Sequence, residues 1–290
     1  MFKGSITAIV TPFKDSKIDE KALRDLIEFQ IKNGTQGIVP CGTTGESATL
    51  SYEEHKKVIS ITVETVNKRI PVIAGSGSNN TEEAIELTKY AKSAGADGAL
   101  LITPYYNKPT QQGLFKHFEK VAGAVDIPIV LYNVPSRTSV NLLPATVEKL
   151  SKISNIVAVK EATGDLKQCS EIINLCGDRI VLLSGDDFTV LPLLSIGAKG
   201  VISVVSNVAP NDMFLLISEF NKGNIAKACE IHYRIFNLTS MLFIETNPVP
   251  VKTALAMMGK IKEDVRLPLC GMLEENKNKL KEVLLKMKLI

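Results

Sequence analysis

Short apolar runs rich in Val and Ile recur along this chain with helix-like stretches between them, and that alternation leaves few folds open. Strands are expected at residues 5–10, 37–41, 71–74, 98–102, 128–131, 156–159, 180–183 and 201–204. Their starts lie roughly 20–35 residues apart, the length of one strand plus one returning helix. Most of the runs are apolar at successive positions rather than alternating, as parallel strands covered on both faces should be. Helix-start chemistry falls between them. Ser51-Tyr-Glu-Glu54 and Asp165-Leu-Lys-Gln168 have the form of capping boxes, and Asn80-Thr-Glu-Glu83 is similar. Gly34, Gly95 and Gly197 each stand shortly before the next strand, where helices end.

Eight such units predict an α/β fold of the closed (β/α)8, or TIM barrel, type. An open doubly wound sheet usually has fewer strands, and its dinucleotide-binding form needs GxGxxG after the first strand, which is missing. The strand pattern stops near residue 223, and further helices are expected at 224–243, 250–258 and 273–288. The expected organisation is a catalytic barrel over 1–223 with a three-helix C-terminal extension over 224–290. No Pro- or Gly-rich linker separates the two, so they are expected to pack together.

Composition excludes several function classes. The net charge of +3 is mild and its lysines are interspersed with glutamates, which argues against a nucleic-acid partner. The five cysteines (Cys41, Cys169, Cys176, Cys229, Cys270) are scattered, with no CxxC pair and no zinc-type cluster. Reduced thiols in the cytoplasm are the expected state. No signal peptide is visible, and no apolar run reaches the roughly 20 residues of a membrane span.

Barrel enzymes carry their reacting groups at the C-terminal ends of the strands. Those ends give Thr11, GTTGES at 42–47, GSG at 75–77, TPYYNKP at 103–109, YNVPSR at 132–137, KEATG at 160–164, SGDD at 184–187 and Ser206-Asn207. Lys160 stands out as an amine ending the apolar run Ile-Val-Ala-Val, and period two places Ile156, Ala158 and Lys160 on one face. The bland reading is a lysine that snorkels to solvent. The functional reading is a nucleophile, which must be neutral to attack a carbonyl and is favoured in that form by apolar surroundings. GTTGES could cradle a phosphate, but GxxxxGK[ST] is absent, and a turn with an N-cap fits as well. Asp186-Asp187 could hold a metal, yet without a third ligand it reads as charge at a helix start. The three histidines, His55, His117 and His232, all fall on expected helices, so a His-centred mechanism is disfavoured.

Taken in order, GTTGES, TPYYNKP, YNVPSRT, KEATG and SGDD resemble the dihydrodipicolinate synthase and N-acetylneuraminate lyase family of aldolase-like barrels. With the C-terminal helices the likeness spans essentially the whole chain. The resemblance implies condensation of pyruvate with L-aspartate 4-semialdehyde to 4-hydroxy-tetrahydrodipicolinate, on the route to diaminopimelate and lysine. It implies no cofactor or metal, because pyruvate would be held as an imine on Lys160. Tyr132, Thr43 and Tyr106 match the family's proton relay, with Tyr106 lent by a neighbouring subunit, so a tight dimer paired into a homotetramer is expected. Thr44 would bind the pyruvate carboxylate and Arg137 that of the aldehyde. The Ile202 carbonyl would approach the imine, and Gly185 and Asp186 would lie near the entrance. Ser47, Ala48, Tyr52, His55, Asn79, Glu83 and Tyr105 match a feedback site for lysine, although Tyr52 stands where a bacterial form of the family has histidine. Two alternatives remain: a sibling lyase of a keto-sugar acid, disfavoured by Arg137, and a catalytically inactive barrel that binds a small molecule.

Overall fold

The computed structural model describes residues 2–290. Eight parallel strands form one sheet: β1 (Gly4–Ala8), β2 (Gly37–Val39), β3 (Ile73–Gly75), β4 (Gly98–Ile102), β5 (Ile129–Asn133), β6 (Ile156–Glu161), β7 (Val181–Ser184) and β8 (Gly200–Ser203). The hydrogen-bonded order runs β2-β1-β8-β7-β6-β5-β4-β3. A parallel bridge between Ile38 and Val72 joins the two ends, so the sheet closes on itself. Closure leaves no free edge to pair with another chain.

Two apolar layers follow from that closure. Ile6, Ala8, Val39, Ile73, Leu100, Val130, Ala158, Leu183 and Ile202 fill the barrel interior. Residues on the other strand face, such as Leu101, Leu131 and Val159, pack against the surrounding helices. The expected face of β6 needs one correction. The register slips between Ile129 and Val130, so that Ile129 pairs with Ile156 while Val130 pairs with Ala158. Val157 therefore packs against the interior cluster and Ile156 turns to the helical side. Ala158 and Lys160 keep their shared face beyond the irregularity, because period two resumes there.

The helix-start expectations divide. Ser51 forms a full capping box, its hydroxyl accepting from the Glu54 amide at 3.2 Å and its own amide donating to the Glu54 carboxylate at 3.0 Å. Asp165 accepts from the Lys167 and Gln168 amides, but the Gln168 side chain instead donates to Glu161 and Asn141. Asn80 caps the Glu82 amide, while Glu83 takes the Ser78 hydroxyl. A short hairpin, Phe13–Lys14 with Lys17–Ile18, follows β1 and was not expected.

The last helices are Ile225–Leu242, Val249–Met257 and Glu274–Lys286. Leu238, Leu255, Leu280 and Leu284 are fully buried in a cluster that also holds Val204, Val205 and Met213. Each such leucine contributes roughly 2 kcal/mol by transfer from water, so the extension is firmly seated. No helix among the described residues is long and apolar enough to cross a membrane.

Candidate active site

β5 and β6 are neighbours in a register that places Tyr132 directly beside Lys160. Both are 6% exposed, and the Lys160 Nζ lies 4.0 Å from the centre of the Tyr132 ring. Next in sequence, Glu161 turns to the opposite face. Its carboxylate accepts from Asn133 (3.0 Å), Gln168 (3.1 Å) and the Thr163 amide (2.9 Å). Burial raises the Glu161 carboxyl above its ordinary range, and those hydrogen bonds pull the other way. Glu161 thus folds the KEATG loop back while leaving Lys160 facing the interior.

Lys160 lies in a cavity of about 280 Å³ at the carboxyl end of the barrel. Thr43, Thr44, Tyr132, Arg137, Gly185 and Asp186 line it, as do Phe188, Val204, Phe243 and Asn247. The GTTGES loop over it is a tight turn: Gly45 donates to the Gly42 carbonyl, Glu46 to the Thr43 carbonyl and Ser47 again to Gly42. Among the described residues no acceptor takes the Thr43 or Thr44 amide, which suits them to an incoming carboxylate. Gly185 is constrained by close approach. A Cβ there would lie 3.0 Å from Lys160 Cγ and 2.8 Å from the Ala162 methyl.

Arg137 sits on a short helix, Pro135–Thr138, started by a proline at its first position. Its guanidinium donates to the Asn247 carbonyl at 3.1 Å, and the Asn247 amide donates to the Thr44 hydroxyl at 3.0 Å. Asn247 is 5% exposed with its side-chain oxygen unpartnered, and it comes from the C-terminal extension. Sequence reasoning missed it, because no motif marks it and the contact joins residues 203 apart.

Not every expected residue converges on Lys160. Ile202 fills the interior one layer below the cavity, and Val204 takes the lining position. Tyr106 is 89% exposed and lines no part of the cavity. Its φ of +70° holds a bulky side chain in the left-handed region at the tip of the β4 loop. The acidic pair is likewise resolved. Asp186 caps the Phe188 amide, and Asp187 accepts from the Val204 and Val205 amides. Burial pushes the Asp187 carboxyl up to about 6. Among the described residues, no group of three or more His, Cys, Asp or Glu side chains is placed to hold a metal.

A second pocket, of about 180 Å³, is lined by Ser47, Ala48, Tyr52, His55, Glu83 and Tyr105. These are six of the seven residues expected to bind lysine. Asn79 lies alongside, donating to the Tyr105 carbonyl at 3.2 Å. His55 is buried and bonded to the Gly75 carbonyl at 2.7 Å, and burial lowers its pKa. Cys41 lies behind this wall, and burial raises its thiol far above the range of a reactive cysteine.

A closed barrel with a buried lysine in a cavity at the carboxyl ends of its strands has the architecture of the (β/α)8 enzymes. The chain belongs to the dihydrodipicolinate synthetase family, which it matches over residues 1–287. It is 64% identical over 284 residues to the 4-hydroxy-tetrahydrodipicolinate synthase of Thermodesulfovibrio yellowstonii, covering 98% of each chain. Among solved structures, a dihydrodipicolinate synthase described as the first monomeric variant is 43% identical. It superposes with a TM-score of 0.98, over 100% of this chain and 98% of that one. The DHDPS of Cyanidioschyzon merolae, solved with lysine bound, is 41% identical with a TM-score of 0.97, over 100% of this chain and 99% of that one.

Proposed function

We propose that this chain performs its family's reaction through an imine between pyruvate and Lys160. The enzyme is a lyase that condenses pyruvate with L-aspartate 4-semialdehyde to 4-hydroxy-tetrahydrodipicolinate in diaminopimelate and lysine biosynthesis. The observation that carries the mechanism is Lys160 itself, buried on the interior face beside Tyr132 in a cavity with Thr43, Thr44 and Arg137.

The neutral amine attacks the keto carbon of pyruvate, and loss of water gives the imine. Loss of a methyl proton then gives the enamine, whose carbon attacks the aldehyde. The amine of that substrate then adds to the regenerated imine carbon, closing the ring and expelling Lys160 as the free amine. Tyr132 and Thr43 carry hydroxyls that donate and accept, as moving these protons requires. The amides of Thr43 and Thr44 take the pyruvate carboxylate, and the planar fork of Arg137 takes that of the aldehyde. Ile202 would offer its carbonyl from below, with Gly185 and Asp186 at the entrance. The barrel over 1–223 would carry the chemistry, and the extension over 224–290 would complete its rim. Buried, unpaired cysteines such as Cys41, Cys169 and Cys176 fit a cytoplasmic setting. A direct test is turnover with aspartate semialdehyde against N-acetylmannosamine. Carbon–carbon bond formation only with the latter would assign the chain to the sugar-acid branch.

Tyr106 completes the relay in this proposal from a neighbouring subunit, in tight dimers that pair into a homotetramer. Its exposure and its strained, outward-held backbone support that reading. Tyr106→Phe is expected to lower kcat about 10²-fold, the usual effect of removing one proton-transfer group. Pyruvate trapping on Lys160 should persist, since the imine does not need that hydroxyl. Unchanged turnover would remove Tyr106 from the relay.

The second pocket is proposed to bind lysine as a feedback inhibitor. The Glu83 carboxylate and the Tyr52 and Tyr105 rings suit an ammonium group. Glu83→Ala is expected to raise half-inhibiting lysine at least about 10-fold, as loss of a charge-assisted contact does. Wild-type activity that stays flat across millimolar lysine would dismiss the site.

A further inference from the structure

We propose that Lys252 and Glu46 are a positioning pair, by which the C-terminal extension fixes the loop that receives the pyruvate carboxylate. The inference rests on the imine reading above and extends it to residues outside the Lys160 cavity, which neither of them lines.

Glu46 closes the GTTGES turn. Its backbone lies in the left-handed region at φ +54°, and its amide donates to the Thr43 carbonyl at 3.1 Å. The side chain turns inward, where one oxygen receives Lys252 at 2.5 Å and the other receives the Arg266 amide at 3.0 Å. The two charged side chains are 1% and 0% exposed. Lys252 lies on the helix Val249–Met257, with its nitrogen 4.2 Å from the centre of the Phe13 ring. The Arg266 guanidinium lies at the same distance from that ring. It also grips Glu54 through two bonds of 2.6 Å and donates to the Thr49 carbonyl at 3.0 Å. Both ends of the loop segment that follows Thr44 are therefore tied to the extension.

Stability alone does not account for such a pair. Desolvation of two buried charges offsets their attraction, and apolar residues of similar volume usually serve the fold as well or better. An ion pair supplies what apolar packing lacks, a directional tie that sets one loop geometry. The atoms it sets are the Thr43 hydroxyl and the Thr43 and Thr44 amides, each within three residues of Glu46. Asn247, from the same extension, holds the Thr44 hydroxyl independently.

The test is borohydride trapping on Lys160 across pyruvate concentrations, with steady-state constants for both substrates, in wild type, Lys252→Met and the double variant Glu46→Gln/Lys252→Met. The double variant removes both charges and so avoids leaving one buried alone. Half-saturating pyruvate is expected to rise at least about 10-fold in whichever variants melt cooperatively, the scale of a displaced positioning group. KM for the aldehyde should stay within about twofold, because Arg137 bonds to the Asn247 carbonyl and to neither member of the pair. A folded variant with the wild-type pyruvate dependence overturns the proposal, and so does failure of both variants to fold, which would make the pair purely structural. If wild type itself traps no pyruvate on Lys160, the imine mechanism fails instead, and the two failures are told apart.

Discussion

Lys160→Ala is expected to abolish borohydride-dependent attachment of pyruvate and to lower kcat at least about 10³-fold, the scale seen when a nucleophile is removed. That factor corresponds to about 4 kcal/mol of transition-state stabilisation. The fold should survive the change. Lys160 sits against the Tyr132 ring without an ion-pair partner among the described residues, so its removal strands no buried charge. Mass mapping after reduction checks the result. An adduct on any residue other than Lys160 in wild type, or undiminished trapping in the variant, would refute the assignment.

The second large effect is expected from a single methyl group. In Gly185→Ala the new Cβ meets Lys160 Cγ at 3.0 Å, the Ala162 methyl at 2.8 Å and the Glu161 carbonyl at 3.1 Å. Ala162 and the Glu161 carbonyl belong to the strand end and its loop, which Asn133, Gln168 and the Thr163 amide hold in place through Glu161. The closest contact, with the Ala162 methyl, can be relieved only by a shift of the backbone at Gly185 or in the KEATG loop, and the adjoining lysine stem must move with it. Displacing a reacting atom by about 1 Å costs on the order of 10²-fold in rate. Overpacking destabilises by only about 1–3 kcal/mol, so the protein should remain folded. Paired melting curves and kcat/KM for pyruvate decide it. Wild-type kinetics in a folded variant would show that the lysine stem has room to spare.

Much of this architecture was legible because burial on both faces leaves its mark residue by residue. The run Gly98 to Ile102 reads as a strand and is one, with the same ends. The third expected C-terminal helix, at 273–288, falls within two residues of Glu274–Lys286 at each end, since its apolar spacing is strong. Period counting failed where the backbone itself is irregular. Period two puts Ile156 on the wrong face because no residue type announces a slipped register at Val157. The hairpin after β1 escaped because its strands are two residues each, too short for any pattern.

The site divides along the same line. Residues within contiguous loops, such as Thr43, Thr44, Tyr132, Arg137 and Lys160, meet in one cavity as their strand-end positions suggested. Asn247 and Lys252 were invisible, because their roles depend on contacts across more than 200 residues of chain. Glu46 looked like part of a turn, and only the fold gives it a buried partner.

The tie between residues 46 and 252 also bears on how the molecule is made. Synthesis proceeds from the N-terminus, and domains tend to fold as they emerge. All eight strands are complete by Ser203, well before Lys252 leaves the ribosome. A nascent barrel can therefore close with its pyruvate loop still loose, and its Glu46 carboxylate stays open to water until the helix carrying Lys252 docks. Catalytic competence would then arrive late, as a helix translated 206 residues after Glu46 docks and locks the first loop beyond β2.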